Sequence, residues 1–337
     1  MQAALLYGKE DIRLESFELP PLQGHDLLLR IRSCGICGSD NRMFFNGPSA
    51  RYINPVILGH EICAEVAQAG PEVEDYAPGD LVGVAPIIPC MHCLPCSSGQ
   101  DNICETAKVI GCNVHGGMAE YIHVPGQMVQ VGGVVKIPAS IHPREAALAE
   151  LVGCCLHGLS QVGLEAGQRV LIIGGGPIGM IFIQLAKLMG AHVVSSELLE
   201  HRRQLAQELG ADHVVDPLTT DLKNSYGYAF DRVIVATASV PATQETFNLV
   251  RTGGSLLFFS GYLKGSAIEL QLNDIHYREL HIHGSIDCSI MDYQKAVRLL
   301  PQLQMGKLVT GAYPLSQTVE AFYATRDPRA IKILIEP

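Results

Sequence analysis

The stretch Val170-Leu171-Ile172-Ile173-Gly174-Gly175-Gly176-Pro177-Ile178-Gly179 decides the fold. Four apolar residues rich in β-branching make a short buried strand, and G-x-G-x-x-G follows without a gap. Gly174 permits a tight turn, Gly176 lets backbone approach a pyrophosphate, and Gly179 lets a helix lie close on the strand. Pro177 falls in the first helical turn, where its missing N–H does no harm. Together with Ile178 these residues form a candidate phosphate cradle, because a helix N-terminus offers free N–H groups and partial positive charge. An acid should follow about 20 residues on, to hold the ribose hydroxyls. Glu197 lies 18 residues past Gly179, just after the strand expected at His192–Ser196. A carboxylate there accepts from both hydroxyls and repels a 2′-phosphate, so NAD is favoured over NADP. Arg202 is assigned to the same cofactor and, with Arg203, softens that preference. An ordinary glycine turn in an α/β domain is the competing reading.

Outward from this turn the pattern alternates. The helix over Pro177–Met189 is stopped by Gly190, and Glu200–Leu209 is a helix closed by Gly210. Strands are expected at Arg169–Ile173, His192–Ser196, His213–Val215, Arg232–Ala236 and Ser255–Ser260, with a further helix at Thr243–Val250. Strands alternating with helices of this length imply βαβ units and a parallel sheet. The first 145 or so residues read differently. They are β-prone and loop-rich, with strand candidates at Asp26–Ser33, Pro55–Val66 and Asp80–Ala85. A last helix (Met291–Leu303) and strand (Ile331–Ile335) are expected to return to that first domain.

The 337 residues suit two domains, and 47% hydrophobic against 17% charged residues leaves enough apolar material for two cores. With 34 acidic and 24 basic side chains the net charge is −10, which speaks against nucleic acid or an anionic membrane as partner. The most apolar stretch, Met180–Val194, is broken by Gln184, Lys187 and His192, so no span of about 20 lipid-compatible residues is present. The opening Met1–Glu10 lacks a basic n-region, and a cytoplasmic location is expected.

Eleven cysteines are an odd number for a disulfide scaffold, and four of them cluster. Cys90, Cys93, Cys96 and Cys104 read C-x2-C-x2-C-x7-C, a spacing suited to a closed tetrahedral structural zinc. An iron–sulfur cluster is the chemical rival. A second set is dispersed: Cys37 in Cys34-Gly35-Ile36-Cys37-Gly38-Ser39-Asp40, His60 and Glu61 after Gly59, and Glu150 in Ala149-Glu150-Leu151. A catalytic zinc needs an incomplete set of permanent ligands, so that substrate finds an open place. Spacing alone leaves the plain alternative open, of a buried thiol, a core histidine and a helix-surface acid.

Taken together, Cys37-Gly38-Ser39-Asp40, Gly59-His60-Glu61, the four-cysteine lobe, Glu150 and the Gly174–Gly179 turn stand in an order that resembles the zinc-dependent medium-chain alcohol dehydrogenases. The sorbitol and sugar-alcohol (polyol) branch is most similar, and only the last 50 residues match loosely. The resemblance implies a β-rich GroES-like catalytic domain over 1–147, with the zinc lobe at about 86–108. It also implies a Rossmann-type doubly wound NAD domain over 148–284 and a C-terminal return over 285–337. Cys37, His60, Glu61 and Glu150 would serve the catalytic zinc, and Cys90, Cys93, Cys96 and Cys104 a structural one, giving two Zn²⁺ per chain beside NAD. Ser39 would pass the substrate proton, with Glu150, through water, as an alternative exit. Departures from the pattern are Arg42, where relatives carry a relay histidine, Met43, where polyol enzymes carry tyrosine, and Gly284-Ser285-Ile286-Asp287, which lacks an arginine.

The implied reaction is hydride transfer between NAD and a secondary alcohol of a polyol, sugar alcohol or sugar acid. Alternatives are a sugar-alcohol phosphate, bound by a cationic corner of Arg42, Arg51 and His115 (with solvated surface arginines the plainer reading of those residues), or a threonine-type 3-hydroxy amino acid. A non-catalytic, zinc-stapled NAD-binding sensor is the alternative of another class. The partner is a small alcohol, and a homo-oligomer (dimer or tetramer) is expected from the resemblance.

Overall fold

The computed structural model describes all residues from Met1 to Pro337 and divides into two units, Met1–Gly153 with Cys288–Pro337, and Cys154–Asp287. The second unit holds a six-stranded parallel sheet in the spatial order His213–Val215, His192–Ser196, Arg169–Ile173, Phe230–Val235, Val250–Phe258, His281–Gly284. The order reverses at Arg169–Ile173, which makes this a doubly wound sheet with its switch point at the end of that strand. Leu171, Ile173, Val194, Val233 and Leu256 are all buried, as strands covered on both faces require.

Arg169–Ile173, His192–Ser196 and His213–Val215 form where the sequence pattern places them. The helix expected at Thr243–Val250 does not. Ser239 accepts the Ala242 N–H and starts a helix early, at Val240–Glu245, while Thr246–Asn248 tightens to a 3₁₀ turn and Val250 pairs with Phe230 as a strand. Similarly the last helix ends at Leu299, because Pro301 cannot continue it, and Leu300–Gln302 is a 3₁₀ turn.

The first unit is built on a mixed sheet in the order Val134–Lys136, Leu81–Val84, Glu61–Ala69, Leu27–Gly35, Lys332–Glu336, Val309–Pro314, with Tyr121–Val124 also on Leu27–Gly35. A three-stranded sheet of Asp11–Ser16, Gln2–Gly8 and Val56–Ile57 completes it. The last strand runs antiparallel to Leu27–Gly35, with Leu334 opposite Gly35. The single strand expected over Pro55–Val66 is divided in two at Gly59. There φ is +91°, and a Cβ would stand 2.4 Å from Cys34 Sγ, so only glycine fits. That break places His60 in a loop rather than in the ladder.

Candidate active site and metal centres

Leu27–Gly35 delivers the chain to Cys37, which caps the helix Gly38–Asn46. Asp40, in the first turn of that helix, is 2% exposed and accepts the Cys37 N–H at 2.9 Å and the Gly59 N–H at 3.4 Å. Its carboxylate also stands 3.8 Å from His60 Nδ1. One buried acid therefore ties together two segments far apart in sequence through their backbone N–H groups and stands beside the imidazole as a charge partner. Burial pulls the His60 pKa down, but the nearby charges of Asp40 and then Cys37 outweigh it and hold the pKa well above the ordinary value. Glu150, 5% exposed in the first turn of Ala149–Val162, adds to that field. Ser39 is half-buried, two residues after Cys37.

Glu61 takes a different place. It is wholly buried, and both its oxygens accept from Lys332 Nζ, at 2.7 and 2.8 Å; the same ammonium donates to Ile36 O at 3.0 Å. His60 lies in the loop before the strand that Glu61 opens, and Glu61 turns to Lys332. Lys332 was missed by sequence reasoning. A lone lysine inside the apolar run Ile331-Lys332-Ile333-Leu334-Ile335 was its only signal. The cationic corner is also incomplete. The His115 ring packs edge-on to Phe17 at 4.7 Å, its Nδ1 accepts the Ile57 N–H, and burial lowers its pKa, so it is no cation.

The four lobe cysteines are gathered, their sulfurs all within 4.8 Å of one another. Cys93–Cys104 and Cys90–Cys96 are 3.8 and 4.0 Å apart, close to the edge of a tetrahedron of Zn–S bonds of about 2.3 Å. A multi-iron cluster, whose cysteines bind different irons, would hold them further apart. N–H groups aimed at Cys90, from His92 first and Cys93 next, bring its thiol down to about 5, ready to ligate as thiolate. All eleven cysteines are free thiols. Asp101, beside this lobe, accepts the Ile290 N–H at 2.8 Å and fastens it to the helix Ile290–Leu299.

In the second unit the glycine turn has the shape a pyrophosphate needs. Gly174 has φ +104°, an added Cβ on Gly179 would meet Gly174 O at 1.8 Å, and one on Gly176 would meet nothing within 4 Å. Pro177 and Ile178 open the helix that follows. Glu197 closes the far side, accepting the Gly175 N–H at 2.5 Å and the Leu199 N–H at 2.8 Å. Arg203 reaches the Glu197 carbonyl and Asp216, while Arg202 lies in the helix Glu200–Glu208. A cavity of about 770 Å³ adjoins the turn, lined by Glu197, Leu198, Leu218, Lys223 and Thr237 among others.

Two family models match this chain, an alcohol dehydrogenase GroES-like domain over residues 23–139 and a zinc-binding dehydrogenase over 177–302. L-galactonate-5-dehydrogenase of Escherichia coli (strain K12) is 33% identical over 90% of this chain and 89% of its own. D-arabitol-phosphate dehydrogenase of Enterococcus avium is 30% identical over 98% and 95%. The chain belongs to the zinc-dependent medium-chain alcohol dehydrogenases. It falls in their polyol-like branch, and it is an enzyme that works with zinc and NAD(H). That excludes the non-catalytic sensor. A proposed zinc-binding dehydrogenase of Sinorhizobium meliloti 1021, solved with NADP, superposes with a TM-score of 0.92 at 31% identity, over 100% of this chain and 99% of that one.

Proposed function

We propose that this dehydrogenase interconverts a secondary alcohol and a ketone on a polyol, sugar alcohol or sugar acid, with NAD as hydride acceptor. The observation that carries the reading is the meeting of Cys37 and His60 under one buried acid, Asp40. The relatives named for arabitol phosphate and galactonate support the substrate class. Cys37 and His60 would hold the catalytic zinc, and Cys90, Cys93, Cys96 and Cys104 the structural one. Because Glu61 is satisfied by Lys332, Glu150 is the acid assigned to the catalytic centre in its place. When bound, zinc supplies Lewis acidity toward the substrate hydroxyl and the nicotinamide takes up hydride. Asp40 holds the Cys37 and Gly59 backbone in place and offers the His60 imidazole a charge partner. Ser39 accepts the hydroxyl proton, and Glu150 is its way out, since a guanidinium at Arg42 stays protonated and cannot act as a base.

Gly174, Gly176, Pro177, Ile178 and Gly179 would seat the pyrophosphate and Glu197 the ribose, with Arg202 alongside. The Glu197 carboxylate favours NAD, whatever the cofactor of the relative solved with NADP. The domain assignment made from the resemblance is retained with this reading: a GroES-like catalytic domain, a Rossmann domain and a C-terminal return. Eleven free thiols suit a reducing cytoplasm. No helix is long and apolar enough to cross a membrane. Self-association is proposed through the outer strand His281–Gly284, a free sheet edge with Ile282 and Ile286 exposed beside it. The test is turnover of a polyol panel with NAD and NADP in parallel, together with zinc content. Oxidation with NAD at two zincs per chain is expected; no turnover of any polyol or sugar acid refutes the reading.

A further inference from the structure

Cys37 caps the helix Gly38–Asn46, so whatever fixes this short helix fixes the thiol and Ser39 with it. Its far end is packed by aromatic rings. Phe44 stacks on Phe322 with centroids 4.6 Å apart, Phe45 meets Tyr323 edge-on at 5.6 Å, and the Arg326 guanidinium lies 3.5 Å over the Phe45 ring. Phe322 and Tyr323 belong to the helix Thr318–Ala324. Phe44 and Phe322 are wholly buried, so these contacts carry the apolar stability of the junction. Ring contacts tolerate a range of offsets and tilts, however, and they grip only the last turn.

The first turn is tied by one directional bond. Thr325, which ends the helix Thr318–Ala324, donates from Oγ1 to Asn41 Oδ1 at 2.9 Å, across 284 positions of sequence. The same hydroxyl lies 2.7 Å from Phe322 O, which holds it against its own helix. The Asn41 N–H in turn closes on Cys37 O at 3.1 Å. Cys37 therefore stands between two anchors, both supplied by residues 325–333. On one side Ile36 is pinned, its N–H to Ile333 O and its carbonyl to Lys332 Nζ, each at 3.0 Å. On the other the helix is pinned through Asn41. Gly38, between them, has no side chain with which to hold the turn. Asn41 and Thr325 are half-buried and neutral, so their bond adds little to stability. It matters more to geometry, because a slip at Asn41 is passed along one turn of helix to Ser39 and Cys37.

We propose that Asn41 and Thr325 are positioning residues for the reaction: their hydrogen bond sets the place of the helix, and through it the aim of the Cys37 thiolate and the Ser39 hydroxyl. This rests on the dehydrogenase reading above and deepens it. Both residues act through the helix that carries the reacting groups.

The test is Thr325→Val, which keeps the shape and removes the hydroxyl, on the zinc-loaded enzyme with NAD and the polyol or sugar acid turned over fastest. kcat should fall about 10- to 100-fold, the upper figure being the scale of a 1 Å misplacement. KM for NAD should change by less than about twofold and Tm should drop by no more than about 4 °C. Thr325→Ser restores the hydroxyl and should restore kcat. Asn41→Ala should match Thr325→Val, and the double variant should be no slower than either alone, because the same bond is lost in all three. Tyr76→Phe, which removes the hydroxyl that donates to Val134 O at 2.7 Å in the same unit, is the control: Tm should fall comparably with kcat unchanged. A second readout needs no turnover. With Co²⁺ in place of zinc, the visible bands of the catalytic site should shift in Thr325→Val and return in Thr325→Ser, while those of the four-cysteine lobe stay put as an internal reference. A kcat within about twofold of wild type, an unmoved cobalt spectrum, or losses that multiply in the double variant overturn the proposal and leave the pair as packing. A wild-type chain that turns over no polyol or sugar acid overturns the dehydrogenase reading instead, and the cobalt bands still decide the positioning.

Discussion

Replacing Lys332 with methionine removes the cation from a pair in which Lys332 is 3% and Glu61 0% exposed. Glu61 then keeps its charge in a site without water, and Ile36 O loses its donor as well. Breaking a buried pair from one side costs about 3–5 kcal/mol, because the stranded charge has nothing to answer it. The unit concerned has about 200 residues, in which 1 kcal/mol moves the midpoint by about 2–4 °C, so Tm should fall by about 6–20 °C. Circular dichroism is the suitable probe, since the chain has no tryptophan. Glu61→Gln combined with Lys332→Met should recover most of the loss, because the double variant leaves no unpaired charge; the two single effects must then be strongly non-additive. The pH dependence has a definite sign. Burial works to lower the Lys332 pKa, yet Glu61 outweighs it and raises it above 10.5. Stability from the pair is therefore complete below the ordinary lysine value and drains away as pH climbs through the raised one. Wild type should lose stability in that alkaline window and Lys332→Met should not. A cost below about 1 kcal/mol for either single variant, or simple additivity, would refute the reasoning.

Glu150→Gln should flatten the pH dependence of kcat; an unchanged profile removes Glu150 from the proton path. Gly176→Ala adds a methyl where nothing lies within 4 Å and should shift stability by less than about 0.5 kcal/mol while raising KM for NAD about tenfold or more. Gly179→Ala, by contrast, drives a methyl to 1.8 Å from Gly174 O and should lower Tm outright, and equal behaviour of the two variants would contradict the roles given them. Cys93→Ser should reduce zinc from two per chain to one and open the 86–108 lobe to limited proteolysis. Retention of both metals would show that the four sulfurs are not a unit.

The cofactor unit was legible because its information is local. Buried strands such as Arg169–Ile173 read as apolar runs, glycines mark the turns, and the acid follows at a fixed distance. Thr243–Val250 misled because its apolar residues fit helix and strand alike, and the pairing of Val250 with Phe230 decided between them. The dispersed site was legible only as a likeness of motifs. That Glu61 would face Lys332, 271 positions away, is a fact of sheet order that no spacing carries. His115 looked cationic in one dimension and is an acceptor packed on Phe17 in three.

The strand Lys332–Glu336 inserts beside Leu27–Gly35, so an early stretch of the chain is completed by a much later one. Until that later strand has been made and docked, Glu61 has no counterion and one flank of the strand that leads to Cys37 lacks its neighbour. The middle of the chain, Cys154–Asp287, has all six strands of its sheet in hand well before that. Maturation of the catalytic unit is thereby deferred until Lys332–Glu336 is made, and a nascent chain cut before Lys332 should acquire nucleotide affinity without acquiring redox activity.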